Sequence, residues 1–444
     1  MKKYIILISA FVVFFIGVLI TMHVLDEKYG VATSSGQITS GSASTGDSTL
    51  GSIQGMGKDQ QLGEGGNGTD NPEGDYVNQM EIKMDGKLTS EDWSVRRAAG
   101  LTNEGIATAM AQCKGLYGYD NIGADKQQLY VEIMLALKNR HNGVPLCSIN
   151  EKDVELAASC VLLDHPDIFY VDGYSYERYM FAGTVEKIVY SANYIMSEEE
   201  IAAAWDTINQ YVDACMKGLP AGAGEYEKVR YVYDFVILNT EYNVEAPNNQ
   251  NICSVFINRE SVCLGYAKAV QYLLQEMGVA CSVITGEVTS GEGHAWNLVK
   301  VNGQYYYVDA TWGDASYLSD SGTADALSSI NYDYLCITTQ DLQKTHIIDH
   351  PISVPTCMGT FDNYYVREGL YINGLDSMTL AGIFERAYTS GTSCISIRCA
   401  NQVVFDSVQT ELIDNQQIFQ YLRSGTETIA YTSNENMYTY TFML

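Results

Sequence analysis

Basic residues are the first scarcity in this sequence: 26 Lys and Arg stand against 54 Asp and Glu, leaving a formal charge of −28 over 444 residues. Binding to a phosphate backbone draws on clustered Lys and Arg, so nucleic acid is excluded as a partner. Histidine is nearly as rare, at six, and the eleven cysteines form no repeated Cys-x-x-Cys pairs. A structural zinc site is therefore not expected. No cysteine precedes Cys113, which leaves no acceptor for lipid attachment near the start of the chain. No long internal repeat is evident. Charged residues make up only 18% of the chain and hydrophobic ones 46%, so most of it reads as globular and any disorder is local.

What is present begins with an apolar run. After Lys2 and Lys3, residues 4–25 carry no charge and are almost wholly apolar. At about 1.5 Å per residue such a helix crosses a hydrocarbon core of about 30 Å. Gly30 and Ala32 make no clean small-x-small cut site, so residues 1–29 are predicted to be an uncleaved signal anchor, with secretion after cleavage as the alternative. The two lysines inside would place the remainder outside the cell. Eleven cysteines in that compartment suggest disulfides, with at least one thiol left over. Residues 30–75 are rich in Gly, Ser, Thr, Asn and Asp and are expected to form a disordered tether.

The apolar content returns at about Tyr76, and residues 76–217 are expected to be mainly helical. The clearest helix covers 197–217, where Ser197 and Glu200 form a capping-box pair ahead of Ile201, Ala204, Trp205, Ile208, Val212 and Cys215 on one face. A second helix carries Tyr226, Val229, Val232, Tyr233 and Val236. A third, within 258–278, runs Ala267, Val270, Leu273, Leu274 and Met277 and is closed by Gly278. Residues 294–301 and 304–311 read as two strands joined by Asn302-Gly303, a strong hairpin signal. Helix first and hairpin after is an α+β order. From about Pro351 the chain reads as a separate small α+β unit, with 364–372 β-prone, helices near 380–387 and 414–422, and strands at 394–398, 428–432 and 438–443.

Chemistry concentrates in residues 218–350. Cys263 stands at the start of the third helix, where free backbone N–H groups and a partial positive charge favour a sulfur anion. A hairpin with Asn302-Gly303 as its loop pairs Val301 with Gln304, hence His294 with Thr311 and Trp296 with Asp309. Alternation then puts His294, Trp296, Asp309 and Thr311 on one face, with His294 and Asp309 as diagonal neighbours. A thiol, an imidazole and a carboxylate so placed are the nucleophile, the base and the group that orients the base in acyl transfer. Taken singly, Cys263 is more simply a buried small hydrophobe or half a disulfide, His294 a loop histidine and Asp309 a strand-end carboxylate. It is the three together that point to chemistry.

The segments Ser261-Val262-Cys263-Leu264-Gly265-Tyr266-Ala267, Gly293-His294-Ala295-Trp296-Asn297 and Tyr307-Val308-Asp309-Ala310-Thr311-Trp312 resemble the three signature blocks of the bacterial transglutaminase-like superfamily. The likeness covers about residues 226–350. More loosely, Asp164-His165-Pro166-Asp167-Ile168-Phe169 resembles a segment that precedes such a domain in membrane-anchored extracellular proteins. The resemblance implies a papain-like core, in which a helix bearing Cys packs on an antiparallel sheet bearing His and Asp. It implies a thiol acyl-transfer enzyme, protease, amidase or transglutaminase, acting on peptide or protein amides of the cell envelope. Cys263, His294 and Asp309 would be catalytic, no metal or cofactor would be needed, and Gln250 and Trp296 would be oxyanion or substrate contacts. Leu264 stands where relatives often have Gln, and Ala310 where Pro is frequent. The Trp that animal transglutaminases place upstream of the nucleophile has no counterpart between Trp205 and Cys263. That gap supports the alternative of an inactive surface binding or structural module, while a conventional papain-type protease would carry Asn in place of Asp309.

Overall fold

The computed structural model of the protein describes residues 2–8, 82–315 and 330–444. Tyr4, Ile5, Ile6 and Ile8 are β-prone, and Lys2–Ile8 forms a strand, β1, where the start of a membrane helix was expected. The rest of the apolar run and the tether lie outside the described residues. Among the described residues no helix is long and apolar enough to cross a membrane.

Five helices follow: α1 Ser90–Ala98, α2 Asn103–Gln112, α3 Tyr117–Asn121, α4 Gln127–Lys138 and α5 Glu151–Asp164. The helical expectation for this region left out its long hairpin. Here β3 (Val171–Phe181) and β4 (Thr184–Tyr194) pair antiparallel, in a sheet ordered β1-β3-β4-β2 that includes the short β2 (Val144–Pro145). Ala182 and Gly183, at φ 48° and 86°, turn it. Both central positions having positive φ match the right-handed twist of the strands. At the base of these helices Arg96 and Glu132 form a fully buried ion pair at 2.7 Å. Arg96 Nη1 also donates to the Pro145 carbonyl and Glu132 Oε2 accepts from the Cys147 N–H, while Arg96 Nε has no partner.

The central region starts with α6 (Glu198–Gly218), whose Ser197–Glu200 capping box is made as the sequence predicts. Next come α7 (Glu225–Leu238), the short parallel pair β5 (Glu241–Tyr242) and β6 (Glu260–Ser261), and α8 (Cys263–Glu276). Gly278, at φ 73°, ends the turn after α8. Against α8 packs a five-stranded antiparallel sheet of order β10-β9-β8-β7-β11, built from β7 Cys281–Val288, β8 Gly293–Val301, β9 Gln304–Val308, β10 Leu335–Ile337 and β11 His346–Ile348. The architecture is α+β with a papain-like core. A single apolar core joins the N-terminal helices to α6, α7 and α8.

A second core fills the C-terminal unit, between helix Ser377–Ser390 and the sheet formed by Tyr371–Ile372, Cys394–Cys399, Tyr431–Asn434 and Thr439–Met443. Tyr364–Arg367, expected as strand, is a helical turn because the Asn363 side chain accepts from the Tyr365 N–H and caps it. Residues 402–414, unassigned from sequence, are helical, and 417–421 form a short 3-10 turn. All eleven cysteines are free thiols and ten of them are buried, which corrects the expectation of disulfides. The buried ones other than Cys263 fill the core as small apolar side chains.

Candidate active site

Cys263 is the first residue of α8, with Val262 in extended conformation as its N-cap. The first N–H groups of a helix have no partner within it, so the sulfur sits among unpaired donors. Gly265 lets this turn pass close to its surroundings: a Cβ there would fall 2.7 Å from Ser254 Oγ and 2.9 Å from the Asn249 carbonyl. Asn297 Nδ2 donates to the Ala267 carbonyl at 2.8 Å, and this bond fixes β8 along α8. With that register set, His294, the second residue of β8, comes to the start of the helix. Its ring interacts with both Cys263 and Asp309.

The hairpin register runs as the sequence implies from Val301↔Gln304 to Asn297↔Val308. There it stops. Asp309 does not face Trp296 in a ladder; it is the N-cap of the short helix α9 (Ala310–Gly313). Asp is a strong N-cap, and its Oδ1 accepts from the N–H groups of Thr311 at 2.9 Å and Trp312 at 3.1 Å. Its Oδ2 is left for the imidazole, and His294 Nε2 donates to it at 2.7 Å. The two residues therefore meet, through a cap rather than a cross-strand diagonal. With Nε2 committed to Asp309, Nδ1 is the ring nitrogen free to exchange a proton with the thiol.

Burial works against a charged ring at His294, but the neighbouring Asp309 carboxylate outweighs it, Cys263 adds to the effect, and the ring is raised to about 10. The same pairing overcomes the burial of Asp309 and holds its carboxyl well below the usual range. Cys263, His294 and Asp309 are 2%, 3% and 1% exposed, so bulk water screens these charges little.

Sequence reasoning missed a fourth member. His346, on β11, donates from Nε2 to the same Asp309 Oδ2 at 3.1 Å. Its Nδ1 lies 2.8 Å from the Thr345 hydroxyl, which fixes the tautomer. Burial lowers its pKa despite Asp309 nearby, so it acts as a neutral donor. Trp312, Trp296, His294 and Tyr334 surround its ring at centroid distances of 4.8, 5.0, 5.3 and 5.7 Å. The ligand atoms of His294, Asp309 and His346 lie within 4.8 Å of one another, close enough for a metal. Both ring nitrogens, however, aim at Oδ2 itself at hydrogen-bond distance, and two N–H donors on one anion account for the cluster.

Trp296, expected as an oxyanion or substrate contact, is 1% exposed and stacks on His294 with centroids 5.9 Å apart. It packs with Ile284, Leu298 and Tyr307, and its buried indole Nε1 has no hydrogen-bond partner. Gln250 lines a cavity next to Leu264, the residue after Cys263, and its buried Oε1 has no hydrogen-bond partner.

Residues 213–310 match the sequence model of the transglutaminase-like superfamily. The kyphoscoliosis peptidase of Mus musculus is 26% identical over 172 residues, covering 34% of this chain and 26% of that protein. That of Homo sapiens is 27% identical over 121 residues, covering 24% and 17%. The chain thus spans about a quarter or less of the length of these relatives. A TGase crystal structure aligns over 36% of this chain and 50% of its own at 16% identity, with a TM-score of 0.24. The helix that begins at Cys263 and the hairpin that carries His294 toward Asp309 lie in the part of the chain that is similar to the transglutaminase-like superfamily.

Proposed function

We propose that the protein is a thiol acyl-transfer enzyme acting on peptide or protein amides. The observation that carries this reading is the 2.7 Å bond from His294 to Asp309, on a ring that also meets the thiol at the start of α8. Cys263 attacks the amide carbonyl and forms a thioester. His294 passes a proton to the leaving amine, and Asp309 keeps the imidazolium charged and oriented. Water then resolves the thioester in a protease or amidase, and a primary amine resolves it in a crosslinking enzyme. The developing oxyanion is met by the Cys263 N–H and by the side-chain N–H of Gln250, which lies beside Leu264. The apolar residues 9–25 that follow β1 and the polar tether after them support placing the enzyme on the outer face of a cell membrane, with envelope proteins as substrates.

The test is to incubate the full-length protein with cell-envelope proteins and a labelled primary amine, and to compare it with Cys263→Ala by mass spectrometry. New cleavage products or amine adducts that vanish in the variant are the expected result. Identical spectra for the two proteins would refute the reading and leave a binding module.

A further inference from the structure

A cavity of about 230 Å³ opens beside α8, one residue past Cys263. Leu264 and Lys268 line it from α8, Leu162 from α5, Tyr174 from β3 and Gln250 from the loop before the helix. Leu264 and Lys268 are four residues apart and so share a helix face. The wall opposite belongs to the N-terminal region, held in place by Gln271 Nε2 on the Leu163 carbonyl and Asn251 Nδ2 on the Phe169 carbonyl.

Lys268 is the unexplained group. It is partly buried, and among the described residues its ammonium makes no ion pair and no hydrogen bond, in a chain with 54 acidic residues. The one carboxylate of the wall, Asp172, already accepts from Asn193 Nδ2. Desolvation with nothing to offset it pushes Lys268 down to about 8. An ammonium offers three donors and no acceptor, so what completes it is an anion with acceptor oxygens. Five residues of helix separate Lys268 from Cys263, about 7.5 Å along the axis. Five positions also turn Lys268 about 140° around the helix from Cys263, so the axial offset, at about 3.3 Å per extended residue, sets about two residues of bound chain as the shortest reach.

We propose that this cavity receives a carboxylate of the acyl donor, with Lys268 as its counter-ion, so that substrates with an acidic group about two residues from the attacked carbonyl are selected. The inference rests on the function proposed above and adds its substrate class. The carboxylate belongs either to an Asp or Glu side chain or to a free peptide C-terminus, and the probes separate the two.

The test uses the full-length protein and a set of fluorescent peptides with a fixed central Gln as acyl donor. Glu or its neutral isostere Gln is scanned two residues to either side, and each peptide is made with a free and an amidated C-terminus. Thioester formation and turnover are read by mass spectrometry. The expected result is a preference of about tenfold or more for one acidic arm over its neutral partner. That preference should persist in Lys268→Arg and fall to about twofold or less in Lys268→Gln. Binding of the same peptides to Cys263→Ala, with and without Lys268→Gln, reads the pocket without the chemistry. Acylation with no carboxylate preference overturns the inference and leaves the function standing. Carboxylate-selective binding that depends on Lys268, without acylation in the intact protein, keeps the pocket and overturns the function. Neither acylation nor selective binding overturns both.

Discussion

His346 donates to the same oxygen of Asp309 that His294 uses, at 3.1 Å against 2.7 Å, so one buried carboxylate oxygen carries two imidazoles of opposite charge preference. His294 is held charged and His346 neutral. His346 is thus a positioning residue: it fills the second lone pair of Oδ2 and aims the carboxylate at the catalytic ring. Removing a buried hydrogen bond to a charged group costs about 1.5–3 kcal/mol. His346→Ala is expected to lower kcat by about ten- to a hundredfold while KM changes little. His346→Gln, which keeps an N–H donor, should recover part of the loss. A merely structural residue would change thermal stability without moving the His294 titration, and NMR of that ring in the variant distinguishes the two.

Much of this site can be read from the sequence, and the part that cannot has a physical reason. Asn302-Gly303 dictates its turn because both residues must adopt positive φ, and they do, at 50° and 81°. The register follows from that turn and brings His294 toward Asp309. Counting along the strand fails at Asp309 itself, because a carboxylate followed by two free N–H groups gains more by capping a helix than by extending a ladder. His346 could not be found this way. It lies on a three-residue strand with no periodicity of its own, and pairing with β7 alone brings it to Asp309. The β3–β4 hairpin was overlooked for a related reason. Its burial pattern does not alternate cleanly, so neither period stands out.

Replacing Asp309 by Asn keeps its shape and removes its charge. The ring of His294 is raised to about 10 chiefly because Asp309 outweighs the burial, so in Asp309→Asn the burial should win and the titration should fall to the ordinary imidazole value or below it. NMR of the ring protons reads this directly, and kcat should drop on the order of a thousandfold or more. In the wild type the sign is set by a folded value above the unfolded one, about 6.5. The pair's contribution to stability is full between about pH 4, the unfolded carboxyl value, and about pH 6.5, and is lost as pH rises toward 10. Denaturant midpoints from pH 6 to 10 should fall more steeply in the wild type than in Asp309→Asn.

The cysteines allow a test of accessibility and chemistry together. Burial pushes the thiols of Cys113 and Cys357 up to about 11, and those of Cys160, Cys215, Cys253 and Cys399 up to about 12. Only the thiolate alkylates, so these should be silent in the folded protein at pH 7. Brief iodoacetamide treatment followed by peptide mapping should find Cys263 modified at least about tenfold faster than any of them. Labelling of Cys263 no faster than in the denatured protein would remove the catalytic reading.

The C-terminal unit is tied to the sheet behind the active site by the buried Asp333, alongside an ion pair of Arg398 with Asp341 at 2.7 Å. Asp333 precedes Tyr334, whose carbonyl accepts from the Asp309 N–H, and its carboxylate accepts from Tyr365 Oη at 2.7 Å, Asn434 Nδ2 at 2.8 Å and Thr439 Oγ1 at 2.9 Å. Burial nevertheless raises its pKa, with Tyr365 foremost among the groups that oppose the rise. Asp333→Ala leaves three donors buried without an acceptor and is expected to cost about 2–4 kcal/mol. Because the lost bonds join Asn434 and Thr439 to the central region, the C-terminal strands should loosen first. Limited proteolysis should cut within residues 423–438 of the variant before the N-terminal helices are touched. Uniform destabilisation with no change in cleavage order would mean that Asp333 supports the whole molecule rather than this junction.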